Sequence, residues 1–298
     1  LGASELNYSS DIDLIVLYDP ERVDYRGRRS LQARFSKLTQ DLVSMLQERT
    51  ADGYVFRTDL RLRPDPGASP LALPIGAAES YYESVGQNWE RAAMIKVRPI
   101  AGDFGVGRDF LERIRPFVWR RHLDYAAIAD IHSIKRQIDA YGGHRDISVP
   151  GHNIKLGHGG IREIEFFAQT QQLIAGGRDS RIRQPTTCGA IQALASTGRL
   201  DQSVADDLVS AYEYLRRLEH RLQMIDDKQT QTLPASEEGL AHLAAFFGDR
   251  DAGALTANVV RHLNLVRGHY RNLFEHAPGL GRTGNLVFTG AEDDPETI

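Results

Sequence analysis

Asp11 and Asp13 stand two residues apart at the head of a short apolar run that includes Ile12, Leu14, Ile15, Val16 and Leu17. In an extended chain, residues i and i+2 project from the same face, so the two carboxylates share one side of a strand. Like charges held this close raise a pKa unless a cation compensates them, and carboxylate oxygens suit the hard cations Mg2+ or Mn2+. Asp59, on a second alternating run, is the natural third ligand. Three such groups can hold two metals about 3.5–4 Å apart, the spacing that stabilises the entering and leaving oxygens of an in-line displacement at phosphorus. Two bland readings compete. Ser10 and Asp11 could cap a helix, against which the following β-branched residues argue; Asp59 could simply pair with Arg57 or Arg61.

The surroundings of these acids favour a phosphate. Gly2 and Ser4 lie just upstream, in a turn whose backbone N–H groups or hydroxyl could hold phosphate oxygens. Arg61 and Arg63 share the face of Asp59 and carry planar guanidinium forks that suit phosphate bidentately. Lys96 and Arg98 repeat the alternation on a later run; each of these bases could equally be solvated or structural. A second candidate is G-H-G-G-I-R-E-I-E-F, residues 157–166, where a glycine turn containing Gly159 enters a helix whose first N–H groups could receive an anion. Lys155 and Arg162 flank it. Glycine turns before helices are usually only turns, and Glu163 and Glu165 are favoured at a helix start in any case.

Other conspicuous residues have structural readings. Trp89 and Trp119 read as core or interface aromatics, and Arg216, Arg217, His220 and Arg221 as the solvated side of a long helix. Cys188 lacks a nearby His to activate it. His122, His132, His144 and His152 do not have zinc-ligand spacing.

The elements that must position these groups follow from periodicity. Residues 11–18 read as a strand buried on both faces, ending at Asp19-Pro20. Leu31, Phe35, Leu38, Leu42, Met45 and Leu46 predict an amphipathic helix lying on a sheet. Residues 54–63 alternate, with Tyr54, Phe56, Thr58, Leu60 and Leu62 toward a core and the charged residues outward. Residues 64–74, rich in Pro and Gly, read as a loop, 77–82 as a helix start, and 93–100 as another strand. Beyond Phe104 the pattern becomes helical: Ile128 to Ile138, Glu163 to Ala175, Val204 to Ile225 and Leu255 to Phe274. The expected architecture is α+β, an α/β subdomain over 1–105, a helical one over 106–276, and a linker or tail over 277–298.

Composition narrows the setting. The net charge is −4 with the basic residues dispersed, which argues against a general nucleic-acid binder. A single cysteine excludes an internal disulfide, and no apolar run approaches the roughly 20 residues that span a bilayer. A reducing cytoplasm is expected, without a membrane. The chain opens directly on a motif, so it is expected to begin inside a domain.

Several long motifs, in order, resemble the bacterial family of glutamine synthetase adenylyltransferase/adenylyl-removing enzymes. They are L-G-A-S-E-L-N-Y-S-S-D-I-D-L-I from Leu1, D-G-Y-V-F-R-T-D-L-R-L-R-P from Asp52, W-E-R-A-A-M-I-K-V-R-P from Trp89, R-P-F-V-W-R-R from Arg115, N-I-K-L-G-H-G-G-I-R-E-I-E-F from Asn153 and D-K-Q-T-Q-T-L-P from Asp227. The resemblance implies a nucleotidyltransferase fold of the DNA polymerase beta type, lacking here the strand that leads into the glycine turn. It implies Asp11, Asp13 and Asp59 as metal triad, and Gly2, Ser4, Ser10, Arg61, Arg63, Lys96, Arg98, Lys155, Gly159 and Arg162 as candidates for nucleotide or attacking phosphate. The family has two nucleotidyltransferase halves working in opposite directions on one tyrosine of glutamine synthetase. Ser-Ser-Asp-Ile-Asp and N-I-K-L-G-H-G-G resemble the N-terminal half, which removes AMP by phosphorolysis and releases ADP. The implied cofactors are Mg2+ or Mn2+ with AMP or ADP, inorganic phosphate being a substrate. The implied partners are adenylylated glutamine synthetase, a PII-type signal protein and the C-terminal adenylyltransferase half of the same protein. The alternatives are AMP transfer from ATP, or a regulatory docking module without turnover.

Overall fold

The computed structural model describes residues 1–121 and 147–275. Four three-residue strands form two parallel pairs: β1 (Asp11–Asp13) with β3 (Arg57–Asp59), and β2 (Val16–Tyr18) with β4 (Ala72–Pro74). The predicted strand over 11–18 therefore divides at Leu14-Ile15. The first ladder ends where the Leu14 N–H donates to the Asp59 carbonyl at 2.8 Å, and the second begins on a different partner. The strand expected over 54–63 is reduced to β3. The loop expected over 64–74 instead ends in β4, whose buried Ala72 and Leu73 lie opposite Val16 and Leu17.

Helices cover these strands. α1 (Leu31–Gln47) is capped by the Ser30 hydroxyl and packs on β3 and β4, with Phe35 stacked on Tyr18 at 4.4 Å. Only part of its predicted apolar face is covered, since Leu38, Leu42 and Met45 are exposed. α2 (Ile75–Ser84) packs on β2 and β4, and α3 (Asn88–Met94) follows.

The strand predicted over 93–100 is absent. Glu90 accepts the Gln87 N–H at 2.7 Å, which stabilises the start of α3. The N–H groups of Ile95, Lys96 and Val97 then close turns onto the carbonyls of Ala92, Ala93 and Met94, so they are not available to a ladder. Next come α4 (Phe104–Arg113) and α5 (Arg115–Val118). A first core gathers Ile75, Tyr82, Met94, Phe110, Ile114 and Phe117, joined by Leu173 from the next helix.

The helices after residue 147 are α6 (Ile161–Ala175), α7 (Thr187–Ser196), α8 (Gln202–Asp226), α9 (Glu237–Phe247) and α10 (Ala252–Glu275). Their apolar stripes meet in a second core that includes Ile161, Ile164, Ile191, Leu208, Leu215, Leu218, Leu243, Val259 and Leu263. The helices predicted over 163–175, 204–225 and 255–274 are present. The helix predicted from Ile128 to Ile138 and the tail from 277 lie outside the described residues, as do His122, His132 and His144. No helix among the described residues is long and apolar enough to cross a membrane.

Candidate metal and phosphate site

The parallel register of β1 and β3 sets Asp13 opposite Asp59 and Asp11 opposite Arg57. Adjacent strands lie about 4.8 Å apart, and residues at equal register project to one side, so all four side chains share a face. Ile12, between the acids, is buried on the other face and anchors the strand.

The three acids have unlike surroundings. Arg57 donates from Nε to Asp11 at 2.8 Å, from Nη1 to the Tyr54 hydroxyl and from Nη2 to the Ser9 hydroxyl at 3.0 Å. Arg61 donates from Nε to Asp59 at 2.8 Å and also from its backbone N–H at 2.7 Å. Those bonds hold the Asp59 carboxyl below the usual carboxylate range, with the side-chain bond the leading cause. Asp13 has no hydrogen-bond or salt-bridge partner among the described residues. Although it keeps solvent access, its carboxyl is pushed above the usual range, first by loss of surrounding water and then by the charges of Asp59 and Asp11.

Asp11, Asp13 and Asp59 do not converge into a preformed cage: no cluster of three acidic, His or Cys side chains suited to a metal occurs among the described residues. Of the two arginines weighed as ion-pair partners of Asp59, Arg61 takes that role, whereas Arg57 pairs with Asp11 instead. The donor set still fits Mg2+ or Mn2+. Such ions are commonly held by one or two carboxylates, with substrate phosphates and waters completing the shell. Asp13 beside Asp59 supplies that many, and the unpaired charge of Asp13 is the kind a cation relieves.

The predicted phosphate ligands are dispersed and already engaged. Arg63 braces its own loop, donating to the carbonyls of Leu60 and Pro66 at 2.9 and 2.8 Å. Arg98 donates to the Gly2 carbonyl at 2.8 Å. Lys96 bonds Glu5 at 3.0 Å and the Thr187 hydroxyl at 2.9 Å. Lys155 lies 3.7 Å from Glu219, and Arg162 lies 3.6 Å from Glu165.

Gly2 and Gly159 are explained by packing. A Cβ on Gly2 would fall 1.8 Å from the Lys96 carbonyl oxygen, and one on Gly159 only 2.0 Å from that of Leu263, where φ is also +73°. Ser4 closes a turn onto Leu1 with a positive φ of 59°, and the Ser10 hydroxyl donates to the Asp11 carbonyl at 3.0 Å.

Two sequence expectations about other residues change. Arg216 is nearly enclosed rather than solvated: it donates to the fully buried Glu219 at 2.8 Å and to the Glu5 carbonyl at 2.7 Å. Trp89 is exposed, so it is not a core residue. The residues sequence reasoning missed are Arg57 as the holder of Asp11, and Glu5, Asn7, Glu219 and Gln223. Their signal was available: polar residues at 5, 7 and 9, and others at 216, 219 and 223 along one helical face. Cys188 matches its inert reading, burial raising its thiol to about 11.

Comparison with known proteins agrees with the sequence motifs. The family model described as glutamate-ammonia ligase adenylyltransferase matches residues 1–113, and that of the GlnD PII-uridylyltransferase matches residues 132–274. The chain is similar to curated proteins named bifunctional glutamine synthetase adenylyltransferase/adenylyl-removing enzyme. That of Rhizobium meliloti is 56% identical over 299 residues, covering 100% of this chain and 30% of the relative. Those of Mesorhizobium japonicum and Brucella melitensis are also 56% identical, with the same coverage. The chain thus spans about 30% of the length of these relatives.

Proposed function

We propose, from the fact that this chain belongs to the family of glutamine synthetase adenylyltransferase/adenylyl-removing enzymes, that it carries the AMP-removing reaction. Inorganic phosphate attacks the phosphorus of the adenylyl-tyrosine diester of glutamine synthetase. The tyrosine oxygen leaves, and ADP is the second product. The observation that supports this most is the Asp13–Asp59 register pair, in which one carboxylate has no protein partner.

Asp11, Asp13 and Asp59 are the proposed Mg2+ or Mn2+ ligands; the cation, when bound, neutralises both phosphates and the departing tyrosine oxygen. The chain itself positions the reactants. Arg61 is exposed and only two residues from its partner Asp59, so it can turn its guanidinium from carboxylate to phosphate. Arg98, exposed and bonded to the Gly2 carbonyl, can likewise turn its guanidinium to phosphate, and Gly2, Ser4 and Ser10 precede β1 in the chain. Lys96, Lys155, Gly159 and Arg162 act further back, in the packing behind that turn. No protein nucleophile is required, because positioning and charge stabilisation serve a displacement with a phenolate leaving group.

The proposed organisation is a polymerase beta-type nucleotidyltransferase unit over 1–105, a helical unit over 106–276 and a linker beyond. The match to a PII-uridylyltransferase model over 132–274 supports a PII-type signal protein as a partner of the helical unit. The test is the full-length protein incubated with adenylylated glutamine synthetase, with and without phosphate. ADP formed only with phosphate is expected; AMP released without phosphate, or AMP incorporated from ATP by this half, would replace the reading.

A further inference from the structure

The segment that feeds the acidic strand is bonded, residue by alternate residue, to one face of α8. Arg216 donates to the Glu5 carbonyl at 2.7 Å, Asn7 Nδ2 donates to Glu219 at 2.8 Å, and the Ser9 N–H donates to Gln223 Oε1 at 2.8 Å. The spacing is commensurate. Four residues of irregular chain reach at most about 13 Å, and seven residues of helix rise about 10.5 Å, so a period of two on the segment can follow the 3-and-4 spacing of the helix. Asn7 and Ser9 are buried, and Glu219 and Gln223 are fully so.

Both ends of this rail are fixed. α8 is held by the buried Leu208, Leu215, Leu218 and Leu222. Glu5 is also pinned sideways, its carboxylate accepting the Thr187 N–H at the start of α7 at 3.1 Å and Lys96 at 3.0 Å. At the other end, Arg57 spans the Ser9 hydroxyl and the Asp11 carboxylate, so the last rail residue and the first acid share one guanidinium.

We propose that Glu219 and Gln223 of α8 are positioning residues that set where Asp11 and Asp13 stand relative to Asp59, linking the helical region to the acidic face. The cation-related part of this inference rests on the proposed metal role. A shift or rotation of α8 would carry residues 5–9 with it and move the acids against β3. α8 is therefore the element through which a partner bound on the helices would reach the site.

The test compares Gln223→Leu, which removes the Ser9 acceptor at nearly constant volume, with Leu243→Ala, which loosens the helical core away from the rail. In the full chain, Mn2+ affinity is measured by calorimetry and backbone protection by hydrogen exchange. Gln223→Leu is expected to weaken Mn2+ binding about tenfold, the effect of one lost buried hydrogen bond, and to speed exchange selectively over residues 7–14. Leu243→Ala should speed exchange in α8 to α10 and leave Mn2+ affinity within about twofold of wild type, well inside what one hydrogen bond is worth. Unchanged Mn2+ affinity in Gln223→Leu, or an equal loss in both variants, overturns the proposal. If the wild-type chain binds no Mn2+, the metal reading fails by itself; the exchange pattern over 7–14 then decides whether the rail positions the strand.

Discussion

At Asp13 the carboxylate has Asp59 beside it and Asp11 two residues back; it accepts no hydrogen bond among the described residues, and the charges of the Leu1 amino group and Arg61 offset the two acids only in part. Its pKa is raised in the folded state, so unfolding lets it release its proton more readily. In metal-free protein its contribution is harmless below the ordinary carboxylate range, and stability is lost as pH rises through that range toward the folded value. Asp13→Asn should therefore be more stable than wild type at neutral pH without metal. The difference should close as pH falls from roughly 7 to roughly 4, near the ordinary carboxylate value. Thermal melts in chelator across that interval measure it, and added Mn2+ should raise the wild-type midpoint while leaving that of Asp13→Asn in place. Equal stabilities at every pH would mean that the crowding at Asp13 has no energetic consequence. Asp11 and Asp13 were legible from sequence because i, i+2 geometry does not depend on tertiary context. The Asp59–Arg61 pair is visible in the sequence only as an alternative, because a guanidinium beside a carboxylate on one strand face fits either a pair or a phosphate site; Arg57 on Asp11 is not visible, because the two stand on strands that only the fold brings together.

Among the elements, the glycine turn before α6 separates packing from ligand binding. The sequence offers Gly159 as part of an anion cradle, yet its Cα faces the Leu263 carbonyl of α10 with room for a hydrogen only. Gly159→Ala should cost about 1–3 kcal/mol from overpacking, with about 1 kcal/mol or more added by the positive φ. A urea titration should show a lower midpoint at unchanged slope. Wild-type stability with weakened phosphate binding would return the glycine to the cradle. The helices were legible because eleven or more residues of apolar periodicity average out local exceptions; α1, α6, α8 and α10 fall where Leu, Ile and Phe recur. The strands were legible only in part: β1, β2 and β3 fall inside the predicted runs 11–18 and 54–63, but three residues cannot display alternation, so their ends were not. β4 is hidden behind Pro and Gly, and Ile95 and Val97, β-branched and strand-like in isolation, follow a stabilised helix start that commits their N–H groups to turns.

At the scale of the molecule, the two cores meet through Leu173 and through a polar group in which the buried Asn7 and Glu219 bond the half-buried Glu5, Lys96 and Arg216 into one network. None of that long-range pairing follows from local pattern, because residues 5–9 and 216–223 are brought together only by the fold. The arrangement gives the acidic face a rigid backing and a reason for helices that contribute none of the proposed metal ligands. In the proposed function this face removes AMP from a protein tyrosine by phosphorolysis, and Asp13 is indispensable to it. The most direct measurement is phosphate-dependent ADP formation from adenylylated glutamine synthetase by full-length protein carrying Asp13→Asn in this half. The prediction is a loss of at least about a thousandfold, comparable to removing a major source of transition-state charge stabilisation. ADP formation at the wild-type rate would contradict it.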